Sequence, residues 1–123
     1  MGDVNPSIEQ ALGTDRVIDI TTIGRKTGEA RRIEIWFHRI DGRYYITGTP
    51  GARSWYANLV ANPEFTFHLK ESAQADLAAV AHPVEGAEKA RVLAAIEASL
   101  ASSGLTLDVE TSPLVEVTWA DPA

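Results

Sequence analysis

The stretch that decides the fold is TTIGRKTGEARRIEIWFHRIDGRYYIT, residues 21–47. From Ala30 to Ile40 apolar and polar side chains alternate, which is typical of a strand that buries one face. Asp41-Gly42 is a strong signal for a tight hairpin turn into the next strand. Before the long strand, the glycines that flank Arg-Lys-Thr in Gly24–Gly28 permit another turn, because glycine tolerates positive φ. The stretch therefore predicts antiparallel strands joined by two turns.

Outside this stretch the chain predicts further short strands and two helices. For Ala75–Val84 we predict a strand, although its alanines fit a helix equally well. The predicted strands are Arg16–Ile23, Ala30–Ile40, Arg43–Thr47, Phe65–Leu69, Ala75–Val84 and Leu114–Trp119, and the predicted helices are Ser54–Ala61 and Gly86–Ser102, the second stopped by Gly104. Short connections between consecutive strands indicate a mainly β (α+β) fold, an antiparallel sheet curled into a barrel, as one domain over residues 1–123.

Composition narrows the classes of function. The chain has no cysteine, which excludes thiol nucleophiles, disulfides and thiolate metal sites. No stretch reaches the roughly eighteen consecutive apolar residues of a membrane-spanning helix, and the N-terminus lacks a signal-peptide pattern, so we expect a cytoplasmic protein without membrane insertion. His38, His68 and His82 fall on separate predicted strands, so no metal site is expected. The absence of a Gly-x-Ser-x-Gly elbow argues against a hydrolase.

Positive charge is concentrated in one part of an acidic chain. The net charge is −6, yet residues 25–53 carry seven basic groups against three acidic ones. Four of the chain's eleven basic residues lie within Arg25–Arg32. Such a cluster attracts a small anion. The sequence pI of about 4.9 and the few aromatic residues near the cluster argue against nucleic-acid binding.

Two interpretations of the basic turn, residues 24–28, stay open from the residues alone. In the first, its charges are solvated and bind nothing, as is true of most surface charges. In the second, the turn binds an anion, helped by Arg31 and Arg32 after the chain folds back and by Arg53 in a second glycine-rich loop. A P-loop is excluded, because no glycine lies five residues before Lys26 and a strand follows the turn.

Two motifs together resemble the deazaflavin-dependent nitroreductase family, within the flavin and deazaflavin split-barrel superfamily. They are Gly24-Arg-Lys-Thr-Gly28 and Trp55-Tyr-x-Asn-Leu-x-x-Asn-Pro63, in the family's order and at about its spacing. The resemblance extends over roughly Val17 to Lys70. It implies an antiparallel split β-barrel with a short helix and one longer C-terminal helix, and a groove that binds the deazaflavin coenzyme F-420.

The resemblance also implies roles for individual residues. The basic turn and the arginine after it would hold the acidic tail of the coenzyme, and other residues would lie along its ring system. The tail residues are Arg25, Lys26, Thr27, Gly28 and Arg31, and the ring residues are Ile35, Trp36, Gly48, Thr49, Pro50, Arg53, Trp55 and Asn58. For Trp36 and Trp55, packing within the sheet or core is the alternative. For Glu34, pairing with a nearby arginine is expected, and a role as an acid on the substrate side is the alternative.

The chain departs from the family pattern. Thr49-Pro50 stands where family members usually carry serine-lysine, so one cationic contact is missing, and Arg53 is a candidate replacement. About fifteen residues precede the first predicted strand and no tyrosine follows Tyr56, whereas the nitroreductase type has an N-terminal extension and C-terminal tyrosines. The substrate preference of that type is therefore not carried over.

The expected function is oxidoreduction, in which a reduced deazaflavin passes hydride to a small organic electron acceptor, as in nitroreduction or quinone reduction. The proton that accompanies the hydride would come from water, Tyr44 or Tyr45. Two alternatives keep the same barrel: an oxidoreductase that binds FMN, and a non-catalytic carrier of a flavin or another small ligand. The resemblance to the superfamily also implies a homodimer.

Overall fold

The computed structural model describes residues 6–47, 54–99 and 112–120. Within these ranges the chain forms short helices and a set of antiparallel strands. The elements are α1 (Pro6–Thr14), β1 (Val17–Ile23), β2 (Ala30–Ile40), β3 (Arg43–Thr47), α2 (Ser54–Ala61), β4 (Glu64–Leu69), β5 (Ala75–Pro83), α3 (Gly86–Ser99) and β6 (Leu114–Trp119).

The strands form a closed antiparallel barrel in the order β1-β2-β3-β6-β5-β4. β1 lies between β2 and β4, so that Ile20 is opposite Ile33 on one side and Phe67 on the other. The long strand β2 changes partners along its length: its residues 30–36 pair with β1, and its residues 37–40 pair with β3. β6 then completes the barrel between β3 and β5. Closure pairs the strand edges that an open sheet would expose.

Alternation along the strands fills the barrel with apolar side chains. Phe37 and Phe67 are fully buried at its centre, and their ring centroids lie 5.1 Å apart in an edge-on arrangement. Phe67 meets Trp119 in the same manner, also at 5.1 Å. Edge-to-face aromatic pairs contribute about 0.5–1.5 kcal/mol beyond the area they bury. These rings therefore help to fix the strands that supply them, which are β2, β4 and β6.

The helices use two different surfaces of the barrel. Tyr45 points away from the barrel core, because it alternates with the inward Ile46, and it packs with Leu93 and Ile96 of α3. Both α1 and α2 extend the barrel core itself, through buried Ala11, Leu12, Trp55 and Leu59. No helix among the described residues is long and apolar enough to cross a membrane.

The predicted strands and helices are confirmed to within one residue at every end that falls in the described ranges. Asp41 and Gly42 have φ of 54° and 77°, as the tight hairpin turn requires. The ambiguous alanine-rich segment is the strand β5, paired on both sides. The last predicted residues of the long helix, 100–102, and its stop at Gly104 lie outside the described residues. The expected fold class, a mainly β antiparallel barrel, is confirmed.

One helix, α1, was not predicted. Its nine residues bury only Ala11 and Leu12, so the apolar face that the sequence could reveal is short. The local signal was Asn5-Pro6, because asparagine favours the position before a helix and proline favours its first turn. The contact of α1 with β4 is a tertiary interaction that the sequence pattern does not contain.

We predict that His38 makes the stability of the fold pH-dependent. The side chain is 6% exposed, and burial, with a smaller contribution from the charge of Arg16, lowers its pKa from 6.5 to about 4. Between these values the unfolded chain binds the proton more readily than the folded one. The free energy of unfolding should therefore fall as pH drops from 6.5 to 4, with about 3 kcal/mol of the loss due to this group. Denaturant titrations across this pH range measure the slope.

His38→Gln removes the titrating group and should flatten this slope, whatever it does to stability at pH 7. His82→Gln is the matched control, because the His82 side chain is exposed, and it should keep the slope of the wild type. Identical slopes for the wild type and His38→Gln would show that His38 does not titrate as a buried neutral side chain.

Candidate cofactor site

The basic turn joins β1 to β2 and is closed by backbone hydrogen bonds. Gly24 donates from its N–H to the carbonyl of Glu29 at 2.8 Å, and Gly28 donates to the carbonyl of Gly24 at 2.9 Å. The hydroxyl of Thr27 accepts from the N–H of Glu29 at 3.2 Å. Thr27 therefore stabilises the turn from within. Arg25 and Lys26 are carried on a short, internally bonded loop with exposed side chains.

The two glycines of the turn have different physical roles. Gly28 has φ of 71°, in the left-handed region that favours glycine. Gly24 is not among the residues of positive φ, contrary to the freedom that the sequence suggested for both. A Cβ at Gly24 would lie 2.7 Å from the hydroxyl oxygen of Thr27. A side chain at Gly24 would therefore displace the Thr27 hydroxyl, whereas at Gly28 glycine is favoured by the backbone conformation.

Two asparagines of the tryptophan motif hold the basic turn. The Asn58 Oδ1 accepts from the backbone N–H of Arg25 at 3.1 Å, and its Nδ2 donates to the Thr22 hydroxyl at 3.4 Å. Asn62, near the end of α2, donates from Nδ2 to the carbonyl of Ile23 at 3.3 Å. The two motifs that carry the family resemblance are thus in direct contact, although more than thirty residues separate the bonded pairs.

The cations at the turn have no acidic partner in the part of the chain that the structure describes. The side chains of Arg25, Lys26 and Arg31 are exposed. Within residues 6–47, 54–99 and 112–120, no carboxylate oxygen lies within 4.0 Å of their charged nitrogens. Three positive charges at one end of β2 are therefore available to an anion from solution.

Arg32, the next residue along, is neutralised within the sheet. Its Nε lies 2.9 Å from Asp19 Oδ2, and Lys70 Nζ lies 2.7 Å from Asp19 Oδ1. The hydrogen bond from Lys70, and then that from Arg32, hold the pKa of Asp19 below its usual value against the opposing effect of burial. Lys70 also pairs with Glu34, whose partner is thus a lysine and not the expected arginine. The basic cluster therefore divides into paired charges on the sheet and available charges at the turn.

The residues expected along the ring system lie in different environments. Trp36 points outward from β2 and is 44% exposed, whereas Ile35 points inward and is half-buried. Trp55 is 7% exposed and packs in the barrel core, and Asn58 is 5% exposed beneath the turn. Gly48, Thr49, Pro50 and Arg53 lie outside the described residues. The predicted contacts of all these residues with a cofactor stay predictions.

The two tyrosines considered as proton donors are not brought to the basic turn. Tyr44 and Tyr45 pair with Arg39 and His38, at the end of β2 that is remote from the turn. The ring of Tyr44 packs inside the barrel against Trp119, with centroids 5.4 Å apart. Tyr45 is 1% exposed beneath α3, and burial, followed by the charge of Glu116, raises the pKa of its hydroxyl.

The histidines form separate polar contacts. His68 is nearly buried on the outward face of β4, with Nε2 2.7 Å from the Thr21 hydroxyl and Nδ1 2.7 Å from Asp76. His82 contacts Thr118 at 2.8 Å. Among the residues that the structure describes, no group of three or more histidines and carboxylates is placed to hold a metal ion.

Thr22 and Asn62 belong to the site although sequence analysis did not select them. Asn62 was part of the motif Trp55-Tyr-x-Asn-Leu-x-x-Asn-Pro63, but no role was predicted for it. Its position four residues after Asn58 was the available clue, since residues at that spacing lie on one face of a helix. Thr22 carried no signal beyond its β-branched side chain.

Solved structures share this barrel. Protein Atu2129 of unknown function, from Agrobacterium tumefaciens str. C58, is similar with a TM-score of 0.75 and 16% identity, over 96% of this chain and 56% of that one. The chain thus spans about half the length of Atu2129. A putative pyridoxamine 5'-phosphate oxidase from Listeria innocua matches at 0.71 and 11% identity, over 93% and 91% of the two chains. An F420-H2 dependent reductase (FDR-A) matches with a TM-score of 0.55 and 21% identity, over 85% of this chain and 95% of that one. At these identities the likeness shows the fold.

The family is established by a separate comparison. A family model described as F420H(2)-dependent quinone reductase matches residues 4–117, which is most of the chain. The match includes the basic turn, the tryptophan motif, the strands β1 to β5 and residues 114–117 of β6. This chain therefore belongs to the F420H(2)-dependent quinone reductase family, a family of oxidoreductases whose cofactor is coenzyme F-420, as the resemblance of its two motifs implied.

Proposed function

We propose that this chain binds the reduced deazaflavin through its basic turn and reduces a small organic acceptor of the quinone or nitroaromatic type. The observation that carries the proposal is the set of three exposed cations, Arg25, Lys26 and Arg31, which have no acidic partner among the described residues. Arg25 and Lys26 stand on a turn that is closed by hydrogen bonds, and Arg31 lies close by, near the start of β2. A site of this charge fits an acidic cofactor tail.

Several cations are needed because each one alone contributes little. An exposed ion pair is worth about 0–1 kcal/mol, so one lysine would not retain a tail of phosphate and carboxylate groups. Three neighbouring cations act together, and the backbone that carries Arg25 and Lys26 is already held before binding, which lowers the entropy lost. The chain as a whole is acidic, which discourages polyanions from binding elsewhere on its surface.

When bound, the reduced coenzyme supplies a hydride as a two-electron donor. The residues of this chain bind and orient. In the proposed arrangement Arg25, Lys26 and Arg31 hold the tail, and the exposed indole of Trp36 offers an apolar surface to the ring system. We assign the accompanying proton to water, because Tyr44 and Tyr45 lie at the other end of β2. Such a site needs no cysteine or other nucleophile.

We further propose that the protein acts as a homodimer in the cytoplasm. A similar structure is described as a domain-swapped dimer, with a TM-score of 0.59, 23% identity, and coverage of 85% of this chain and 81% of that one. Sedimentation at micromolar concentration measures the state directly. A particle of 13.3 kDa alone would contradict the dimer.

We predict that Arg25→Ala combined with Lys26→Ala weakens binding of the deazaflavin coenzyme at least tenfold, or about 1.4 kcal/mol. Both side chains are exposed, so the melting temperature should stay nearly unchanged. Quenching of coenzyme or tryptophan fluorescence during titration gives the affinity. Raising the salt concentration should weaken the wild type more than the variant, because the variant has fewer charges to screen.

Arg43→Ala combined with Arg91→Ala is the matched control. It removes the same charge, but Arg43 pairs with Glu116 and Arg91 with Asp41 and Glu88, at the end of β2 remote from the basic turn. Its affinity should stay within about twofold of the wild type, since the removed charges lie beyond a screening length. Equal losses of coenzyme affinity in the two double variants would contradict the proposal, because the basic turn would then act only through the overall charge of the protein. Tighter binding of FMN than of the deazaflavin would favour the alternative cofactor.

A further inference from the structure

We propose that Asn58 is a positioning residue for the cofactor, which acts through the basic turn and makes no direct contact with the coenzyme. The inference rests on the proposed function, because it assumes that the turn binds the anionic tail. It assigns to Asn58 a different part from the contact along the ring system that the family resemblance suggested. The supporting observation is that the buried side-chain amide of Asn58, on α2, forms a hydrogen bond with the backbone of the turn.

Both polar ends of the Asn58 side chain are already engaged within the protein. Its Oδ1 accepts from the N–H of Arg25, and its Nδ2 donates to the hydroxyl of Thr22. The residue is 5% exposed, and Thr22 is 2% exposed. A ligand could therefore reach this amide only if the residues that cover it moved. The amide is used for holding the turn.

Arg25, whose backbone N–H donates to Asn58, is the first charged residue of the turn. The N–H of Arg25 lies between the bonded N–H groups of Gly24 and Gly28, and its own partner comes from α2. Without this acceptor the N–H would turn to solvent, and the segment Arg25–Thr27 would sample more conformations. The cations would then have to be ordered when the tail binds, at a cost in affinity.

Asn62 supports the same attachment one helical turn later. It donates to the carbonyl of Ile23, the last residue of β1, so one side chain of α2 and one directly after its end hold the entry to the turn. α2 is itself anchored, because Trp55 and Leu59 pack in the barrel core. The position of the cations is thereby tied to the rigid part of the molecule through one short helix.

The test is a double-mutant cycle on coenzyme affinity. Asn58→Ala should weaken binding about five- to tenfold in the wild-type background. In the background of Arg25→Ala with Lys26→Ala it should weaken binding by less than about twofold, because the groups that it positions are gone. The same fold loss in both backgrounds would mean that Asn58 contacts the coenzyme directly and would overturn the proposal. No loss in either background would overturn it as well.

Amide hydrogen exchange of Arg25, measured without coenzyme, gives a readout of the attachment itself. Exchange should become faster in Asn58→Ala and stay close to the wild-type rate in Thr22→Val, which removes one partner of Asn58 but leaves the bond to Arg25. Should Asn58→Ala not fold, Asn62→Ala removes the second attachment at a more exposed position, and it should show the same pattern in the affinity cycle with a smaller loss.

The two measurements separate the failure of this proposal from the failure of the proposed function. If the wild type does not bind the deazaflavin, the proposed function fails and the role of Asn58 in cofactor binding fails with it. If the wild type binds but exchange of the Arg25 amide is the same in Asn58→Ala as in the wild type, only the positioning role fails.

Discussion

The pairing of β1 on both of its edges is the constraint on which the site depends. β1 pairs with β2 along one edge and with β4 along the other. The first pairing places the basic turn at the end of β1. The second draws β4 alongside, and α2, which ends three residues before β4 begins, comes with it to the same end of the barrel. Asn58 and Asn62 can reach the turn only because both pairings form. The barrel thus builds the site from segments that lie far apart in sequence.

Electrostatics within the sheet then decide which of the clustered charges remain available. On the outward face, Asp19 and Glu34 form ion pairs with Arg32 and Lys70. These pairs contribute little to stability, but they neutralise the charges on this part of the sheet. At the turn beyond the sheet the described residues form no such pairs, because the carboxylate of the adjacent Glu29 is not within 4.0 Å of the charged nitrogens of Arg25, Lys26 or Arg31. Three positive charges without an ion pair among the described residues are therefore confined to a small region at one end of β2, in a chain whose total is negative. Confinement of this kind favours a small, multiply charged ligand over a long polyanion.

Local structure was largely predictable because its signals are local. The alternation from Ala30 to Ile40 and the Asp-Gly turn depend on side-chain period and backbone sterics alone. The strand β5 was ambiguous from its alanines, and only its two neighbours in the barrel resolve it. α1 was missed because its apolar face is short and gains its stability from contact with the barrel.

The residues of the candidate site could be predicted from the sequence, but the contacts that bring them together could not. Basic residues between glycines identified the turn, and the tryptophan motif identified the helix. The hydrogen bonds that join them connect residues far apart in the chain, and the hydrophobic periodicity of a sequence carries no information about such contacts. Gly24 shows the same limit, because its need for space arises from the Thr27 hydroxyl and cannot be distinguished in sequence from a need for positive φ.

The central claim is that the basic turn is where the coenzyme binds. The most direct measurement is a backbone amide NMR titration of the labelled protein with the deazaflavin coenzyme, at low and then at raised salt. The account predicts that the largest shifts fall on Gly24–Glu29, with smaller ones at Asn58 and Asn62, and that added salt reverses them. Shifts centred on β6 or α3, or shifts that salt does not affect, would contradict it.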